Sequence, residues 1–256
     1  MIGAIIGDVI GSSYEFHPVK TTDFDLFNRW SQFTDDTVCT IALADVILSG
    51  GDYAETLKKY CLRYPDAGYG GRFNEWIHSN QSAPYGSYGN GSAMRVSPVG
   101  FAFKTEQEVL DWAKRSAVVT HDHPEGIKGA QATALAIFLA INNADKPTIK
   151  QEISSRFHYD LDRRLDDIRP GYKFDVTCQG SVPESILAFL ESNSYEECIR
   201  LAVSMGGDAD TMACIAGAIA QAYYRFIPVE LVEKTKALLE PEFIEILKEF
   251  EERYGW

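Results

Sequence analysis

An all-α fold, one compact orthogonal multi-helix domain over residues 1–256, is what this sequence predicts. Three observations predict it. Apolar residues recur at three- and four-residue spacing along most of the chain and seldom alternate with polar ones, as a half-buried strand would require. They make up 45% of the 256 residues, enough to bury a substantial core. No Pro- or Ser-rich linker, composition shift or repeat with a period of about 20 to 50 residues divides the chain. The formal net charge of −13 disfavours unspecific binding to nucleic-acid backbones, which needs clustered Lys and Arg. It leaves room for a nucleotide-like ligand held through metals or backbone amides.

Residues 1–12 read as the first helix. Gly3, Gly7 and Gly11 share one of its faces, and since Gly is a poor helix former, the stripe implies close approach of another backbone or a ligand. Glu15 follows at once, either a site carboxylate or a solvated loop group. Residues 17–33 form a polar, aromatic loop. Thr34 then reads as an N-cap, with Asp35 and Asp36 in the first turn of a helix that stops at Gly50-Gly51. That helix is apolar nearly all round and therefore buried. An acid at a helix start complements the dipole, but one would suffice.

Asp52 caps a helix to about Tyr64, Pro65 to Gly71 breaks it, and Arg72–Ser79 is a short helix. Residues 80–91 are turn-rich. Their glycines admit a close ligand and their tyrosines offer stacking faces, although a plain surface loop has the same composition. Helical patterns cover Met94–Phe103, Glu106–Val119 and Glu125–Asn142. His121 and His123 precede the last of these without soft-ligand company, so ligand contact or capping suits them better than zinc. Thr148–Tyr159 is helical; residues 160–182 are charged and irregular, with a strand candidate at Tyr172–Thr177. Val182–Leu190, Tyr195–Ser204 and Asp208–Phe226 follow as helices, and residues 229–239 and 242–253 close the chain, punctuated by Pro228 and Pro241.

Two stretches carry chemistry. Thr34, Asp35 and Asp36 offer hard oxygens at one buried helix start, as do Asp208, Asp210 and Thr211 at another, after Gly206-Gly207. Two bare charges about 4 Å apart repel by roughly 4 kcal/mol at an effective dielectric near 20, so such acids call for cations. Hard oxygens select Mg²⁺, Mn²⁺ or Ca²⁺ over zinc. Four carboxylates exceed what one Mg²⁺ takes, which points to two ions sharing the site.

Five motifs in order resemble the ADP-ribosylglycohydrolase family, which includes the dinitrogenase-reductase-activating glycohydrolases. They are Gly7-Asp8-Val9-Ile10-Gly11-Ser12 with Glu15, Thr34-Asp35-Asp36-Thr37, the run from Gly86 to Arg95, Thr120-His121 with Pro124 and Gly129-Ala130, and Gly206-Gly207-Asp208-Ala209-Asp210-Thr211. Ala209 stands where the family usually has Thr, a position that is not a ligand. The resemblance implies an all-α domain with two Mg²⁺ ions, Mn²⁺ being an alternative, at helix N-termini. Thr34, Asp35, Asp36, Asp208, Asp210 and Thr211 would bind them. Glu15 would sit at the mouth of the site, and Glu15, Asp35 and Asp36 share candidacy for the catalytic base. The loop Gly86, Ser87, Tyr88, Gly89 and Asn90 would wrap diphosphate and ribose through backbone amides and Tyr88. His121 would touch the adenosine side. Arg95 is either a ligand contact or a structural partner of a nearby acid.

The implied activity is Mg²⁺-dependent hydrolysis of the glycosidic bond between ADP-ribose and an acceptor, with ADP-ribosylarginine on protein the first candidate. The ions would orient the 2″ and 3″ hydroxyls while an activated water attacks C1″. A non-catalytic ADP-ribose binder, a structural protein and a Mg²⁺-dependent nucleotide phosphohydrolase are the competing readings. The five scattered cysteines, Cys39, Cys61, Cys178, Cys198 and Cys214, form no metal-type pair; four of them sit in apolar helical surroundings and read as buried thiols, which fits a reducing cytoplasm. No apolar run approaches about 18 residues, so neither signal peptide nor membrane span is expected. The expected partners are ADP-ribosylated protein or a small-molecule substrate, without general nucleic-acid or membrane binding, and a monomer is the default.

Overall fold

Helix-forming segments joined by loops build the structure. In the computed structural model, which describes residues 1–255, the chain runs through α1 (Ile2–Gly11), α2 (Asp35–Ser49), α3 (Tyr53–Arg63), α4 (Gly71–His78), α5 (Gly91–Met94), α6 (Ser97–Ala102), α7 (Glu106–Val118), α8 (Pro124–Ile141), α9 (Lys146–Phe157), α10 (Leu165–Ile168), α11 (Cys178–Glu191), α12 (Tyr195–Val203), α13 (Ala209–Tyr224), α14 (Val229–Lys236) and α15 (Pro241–Tyr254). No strand occurs among the described residues, and none of these helices is long and apolar enough to cross a membrane.

The glycine stripe of α1 sets the centre of the molecule. A Cβ on Gly7 would lie 2.1 Å from the Ala213 carbonyl oxygen, and one on Gly11 would lie 2.4 Å from Asp210 Cα. The close approach implied by the stripe is therefore to the backbone of α13. It brings the acid of α1, Asp8, and the residues after α1 beside the N-terminus of α13. Around this pair, α12, α11, α8 and α2 complete the main core, with residues such as Ile5, Ile41, Leu135, Ile186 and Ile215 fully buried. Val96, Val99, Val109, Ala113 and Ala130 form a smaller apolar cluster between α6, α7 and α8. All five cysteines are buried and free.

Three sequence expectations change. Tyr172–Thr177 is not a strand: only one antiparallel bridge forms, Gly89 with Thr177, against an irregular loop. The Asp175 side chain also takes the Thr177 N–H at 2.8 Å, which starts a helix cap instead. The helix expected from Val182 begins at Cys178, with Thr177 capping the Gly180 N–H. Pro183 sits inside α11 at the cost of one helical hydrogen bond. The single helix expected over Met94–Phe103 is two short ones, α5 and α6, parted at Arg95-Val96, with Pro98 in the first turn of α6. The turn α10 carries no readable sequence signal.

Candidate active site

Helix starts and the close α1–α13 contact converge on one cavity of about 420 Å³, a size suited to a small-molecule ligand. Its lining includes Glu15, Asp35, Asp36, Asp208, Asp210 and Thr211 on one side, and Ser87, Gly89, Asn90, Arg95 and His121 on the other. The two acidic stretches, far apart in sequence, therefore meet as expected. Thr34, Gly86 and Tyr88 lie outside the lining.

The carboxylates form two groups. Ligand oxygens of Asp8, Asp36 and Asp210 lie within 4.8 Å of one another, and so do those of Glu15, Asp208 and Asp210. Asp210 belongs to both. Thr211 Oγ1 donates to Asp36 Oδ2 at 3.0 Å, and Asp36 Oδ1 is buried with no hydrogen-bond partner. The Asn90 amide donates to Asp208 Oδ2 at 2.7 Å and to Ser181 at 3.2 Å, so Asn90 holds an acid of the cluster in place. The Lys20 ammonium donates to the carbonyls of Met205 and Tyr172, which ties the turn before Asp208 to two neighbouring loops. Gly206 has φ +62°, and a Cβ there would meet Val19 O at 2.9 Å. An orphaned buried oxygen within an all-oxygen donor set fits a hard divalent cation.

Asp8 is the residue that sequence reading missed. It is fully buried mid-helix, and its carboxylate accepts four hydrogen bonds: from the Thr34 N–H at 3.0 Å, Thr34 Oγ1 at 2.7 Å, the Thr37 N–H at 3.1 Å and Thr37 Oγ1 at 2.5 Å. It fixes the N-terminus of α2 against α1. Thr34, expected as a metal ligand, directs its hydroxyl to Asp8 and accepts the Asp36 N–H at 3.3 Å. The available signal was an acid in an otherwise apolar helix, a charge that needs partners when buried.

The cluster is electrostatically strained without cations. Burial is the main cause that pushes every one of these carboxyls upward: Glu15 to about 8, Asp208 to about 6, and Asp35, Asp36 and Asp210 well above the usual range. Asp210 adds to the rise at Glu15, Asp35 and Asp36 through its own charge. Folded values above unfolded ones mean that the cluster imposes no penalty below about pH 4, where folded and unfolded chains are both protonated. The penalty grows as pH rises through the folded values, up to about 8 at Glu15. The urea midpoint of the cation-free protein should therefore carry a declining contribution between about pH 4 and about pH 8. Saturating Mg²⁺ should remove that decline; equal pH slopes with and without Mg²⁺ would contradict it.

The ligand loop differs from expectation in one respect. The N–H groups of Gly86, Ser87, Gly89 and Asn90 donate to Asp122, Thr120, the Ser87 hydroxyl and Val176. They are engaged inside the protein. Tyr88 is 45% exposed and packs its ring against His123, whose side chain caps α8 by accepting the Glu125 N–H. Open backbone donors come instead from α4. Gly70, Gly71, Arg72 and Phe73 line the cavity, and no side chain caps that helix start. Glycines before a short helix, read from sequence as a mere break, leave its first turn beside the cavity without a side-chain cap. Arg95 is 1% exposed and, among the described residues, forms no ion pair with an acid; it donates to the Ser116 carbonyl and to Thr120 Oγ1.

The ADP-ribosylglycohydrolase family model matches residues 1–255. ADP-ribosylhydrolase ARH3 of Homo sapiens is 28% identical over 306 aligned positions, covering 88% of this chain and 84% of that protein. ADP-ribosylarginine hydrolase Tri1 of Pseudomonas putida (strain GB-1) is 27% identical over 272, covering 91% and 72%. Among solved structures, an ADP-ribosylglycohydrolase-related protein complex superposes with a TM-score of 0.71 at 24% identity, over 97% of this chain and 95% of that one, a likeness of fold.

Proposed function

Since the chain belongs to the ADP-ribosylglycohydrolase family, we propose that it cleaves the glycosidic bond between ADP-ribose and an acceptor, reversing ADP-ribosylation, with two Mg²⁺ or Mn²⁺ ions at the acidic cluster. The observation that carries the reading is Asp210, common to two carboxylate groups on the floor of one ligand-sized cavity.

Asp36, Asp208, Asp210 and Thr211 would hold the ions, with Glu15, Asp35 and Asp8 beside them. Bound there, the ions would supply positive charge that orients ribose hydroxyls and polarises water. The chain's own groups do the rest. The uncapped start of α4 presents backbone N–H groups to the diphosphate, in place of the loop amides that the sequence suggested. The carboxylates face the positive charge that develops on the ribose ring as the C1″ bond breaks. Glu15 and Asp35 both line the cavity, and either can take the proton of the attacking water. Asp36 is less suited, because one oxygen faces Thr211 and the other is enclosed. An arginine acceptor is the first choice, supported by the name of the Pseudomonas relative, an ADP-ribosylarginine hydrolase.

The test is release of free ADP-ribose, followed by chromatography, from ADP-ribosylarginine and ADP-ribosylserine peptides with Mg²⁺. Release from the arginine linkage is the expected result. Binding without turnover of either linkage, or release of AMP or phosphate, would overturn the reading.

A further inference from the structure

One side-chain relay feeds the cavity from behind. Arg95 donates through Nη2 to the Ser116 carbonyl at 2.9 Å and to Thr120 Oγ1 at 2.8 Å. Thr120 Oγ1 lies 2.7 Å from His121 Nδ1. Arg95, Thr120 and His121 are all buried, at 1%, 0% and 4% exposure. His121 lines the cavity, and its Nε2 faces the ligand loop: a Cβ on Gly91 would lie 3.2 Å from it and one on Gly89 3.6 Å.

The direction of each hydrogen bond follows from chemistry. A guanidinium can only donate, so Thr120 Oγ1 accepts from Arg95. The hydroxyl then has one proton of its own, and the neighbour in reach is Nδ1. If Nδ1 carried a proton as well, the hydroxyl proton would be left without an acceptor in a buried place, which is unfavourable. The satisfied state has Nδ1 as acceptor and the proton on Nε2. Burial and the Arg95 charge also keep the imidazole neutral.

We propose that Thr120, oriented by Arg95, is a positioning residue that locks His121 in its Nε2–H tautomer, so that the cavity always meets a donor there. The ligand atom opposite is then an acceptor, a phosphate or ribose oxygen of ADP-ribose. This last clause rests on the proposed function; the tautomer does not.

The experiment uses the whole protein labelled with ¹⁵N-histidine. His121 is assigned among the five histidines through His121→Asn, and two-bond ¹H–¹⁵N spectra report the tautomer without ligand. Wild type should show Nε2–H. Thr120→Val, nearly isosteric, should lose that preference and bind ADP-ribose about tenfold more weakly, and Thr120→Ser should restore both. An Nδ1–H tautomer in wild type, or an unchanged tautomer in a folded Thr120→Val protein, overturns the proposal. A fixed tautomer lost in Thr120→Val, with ADP-ribose causing no change at His121, supports the relay and overturns the reading of the site instead.

Discussion

Asp210→Asn is expected to make the cation-free protein more stable and the enzyme inactive. Asp210 is buried, and its carboxyl is pushed well upward by burial first and by Asp208 and Asp8 next. At neutral pH its charge is a penalty in the folded state, so the neutral amide removes repulsion from Asp8, Asp36, Asp208 and Glu15. Each kcal/mol gained raises the melting temperature by about 2–4 °C in a chain of this size. With Mg²⁺ the order inverts. The wild type gains stability by mass action, while the variant, lacking the oxygen common to both groups, gains little. Turnover should fall by about 10²–10³-fold or more, the scale on which a single electrostatic group acts. Differential scanning fluorimetry with and without Mg²⁺, run beside the ADP-ribose release assay, reads both effects. A variant less stable than wild type without Mg²⁺ would contradict the account.

The neighbouring acid should behave oppositely. Asp8→Ala strands four buried donors, the N–H and hydroxyl groups of Thr34 and Thr37. Breaking such a network should cost about 3–5 kcal/mol even without cations, because the relief of burying one charge fewer does not replace four lost hydrogen bonds. Asp8→Asn keeps one acceptor oxygen but turns an amide toward donors, so it should fall between. Urea unfolding of the cation-free proteins measures the difference. Both acids repel their neighbours, and burial pushes the Asp8 carboxyl upward as well, but Asp8 also anchors the four donors of Thr34 and Thr37. A cation-free Asp8→Ala protein as stable as wild type would remove Asp8 from its anchoring role.

The contrast shows what the sequence could and could not say. The Thr34 cap, the acids after it and the Gly206-Gly207 turn were legible because capping and positive φ demand particular residue types. The glycine stripe of α1 was legible as a close-contact face, though not its partner, because a stripe names no neighbour. Asp8 was passed over because a single acid in an apolar helix has no partner on its own helix; all four of its donors come from residues more than twenty positions away. The loop amides were misread for a similar reason. Gly86 to Asn90 has the composition of a ligand cradle, but Val176, Thr120 and Asp122 reach it first in space. The same blindness hid the start of α4, where the absence of a cap is the informative feature.

The central claim is that one carboxylate, Asp210, serves two cation positions. Mn²⁺ titration of the cation-free protein followed by electron paramagnetic resonance tests it most directly, since it counts ions and senses their separation together. The account predicts saturation at two Mn²⁺ per chain with a spin-coupled spectrum, and loss of that coupling in Asp210→Asn. Saturation at one ion, or two ions with uncoupled spectra, would contradict it.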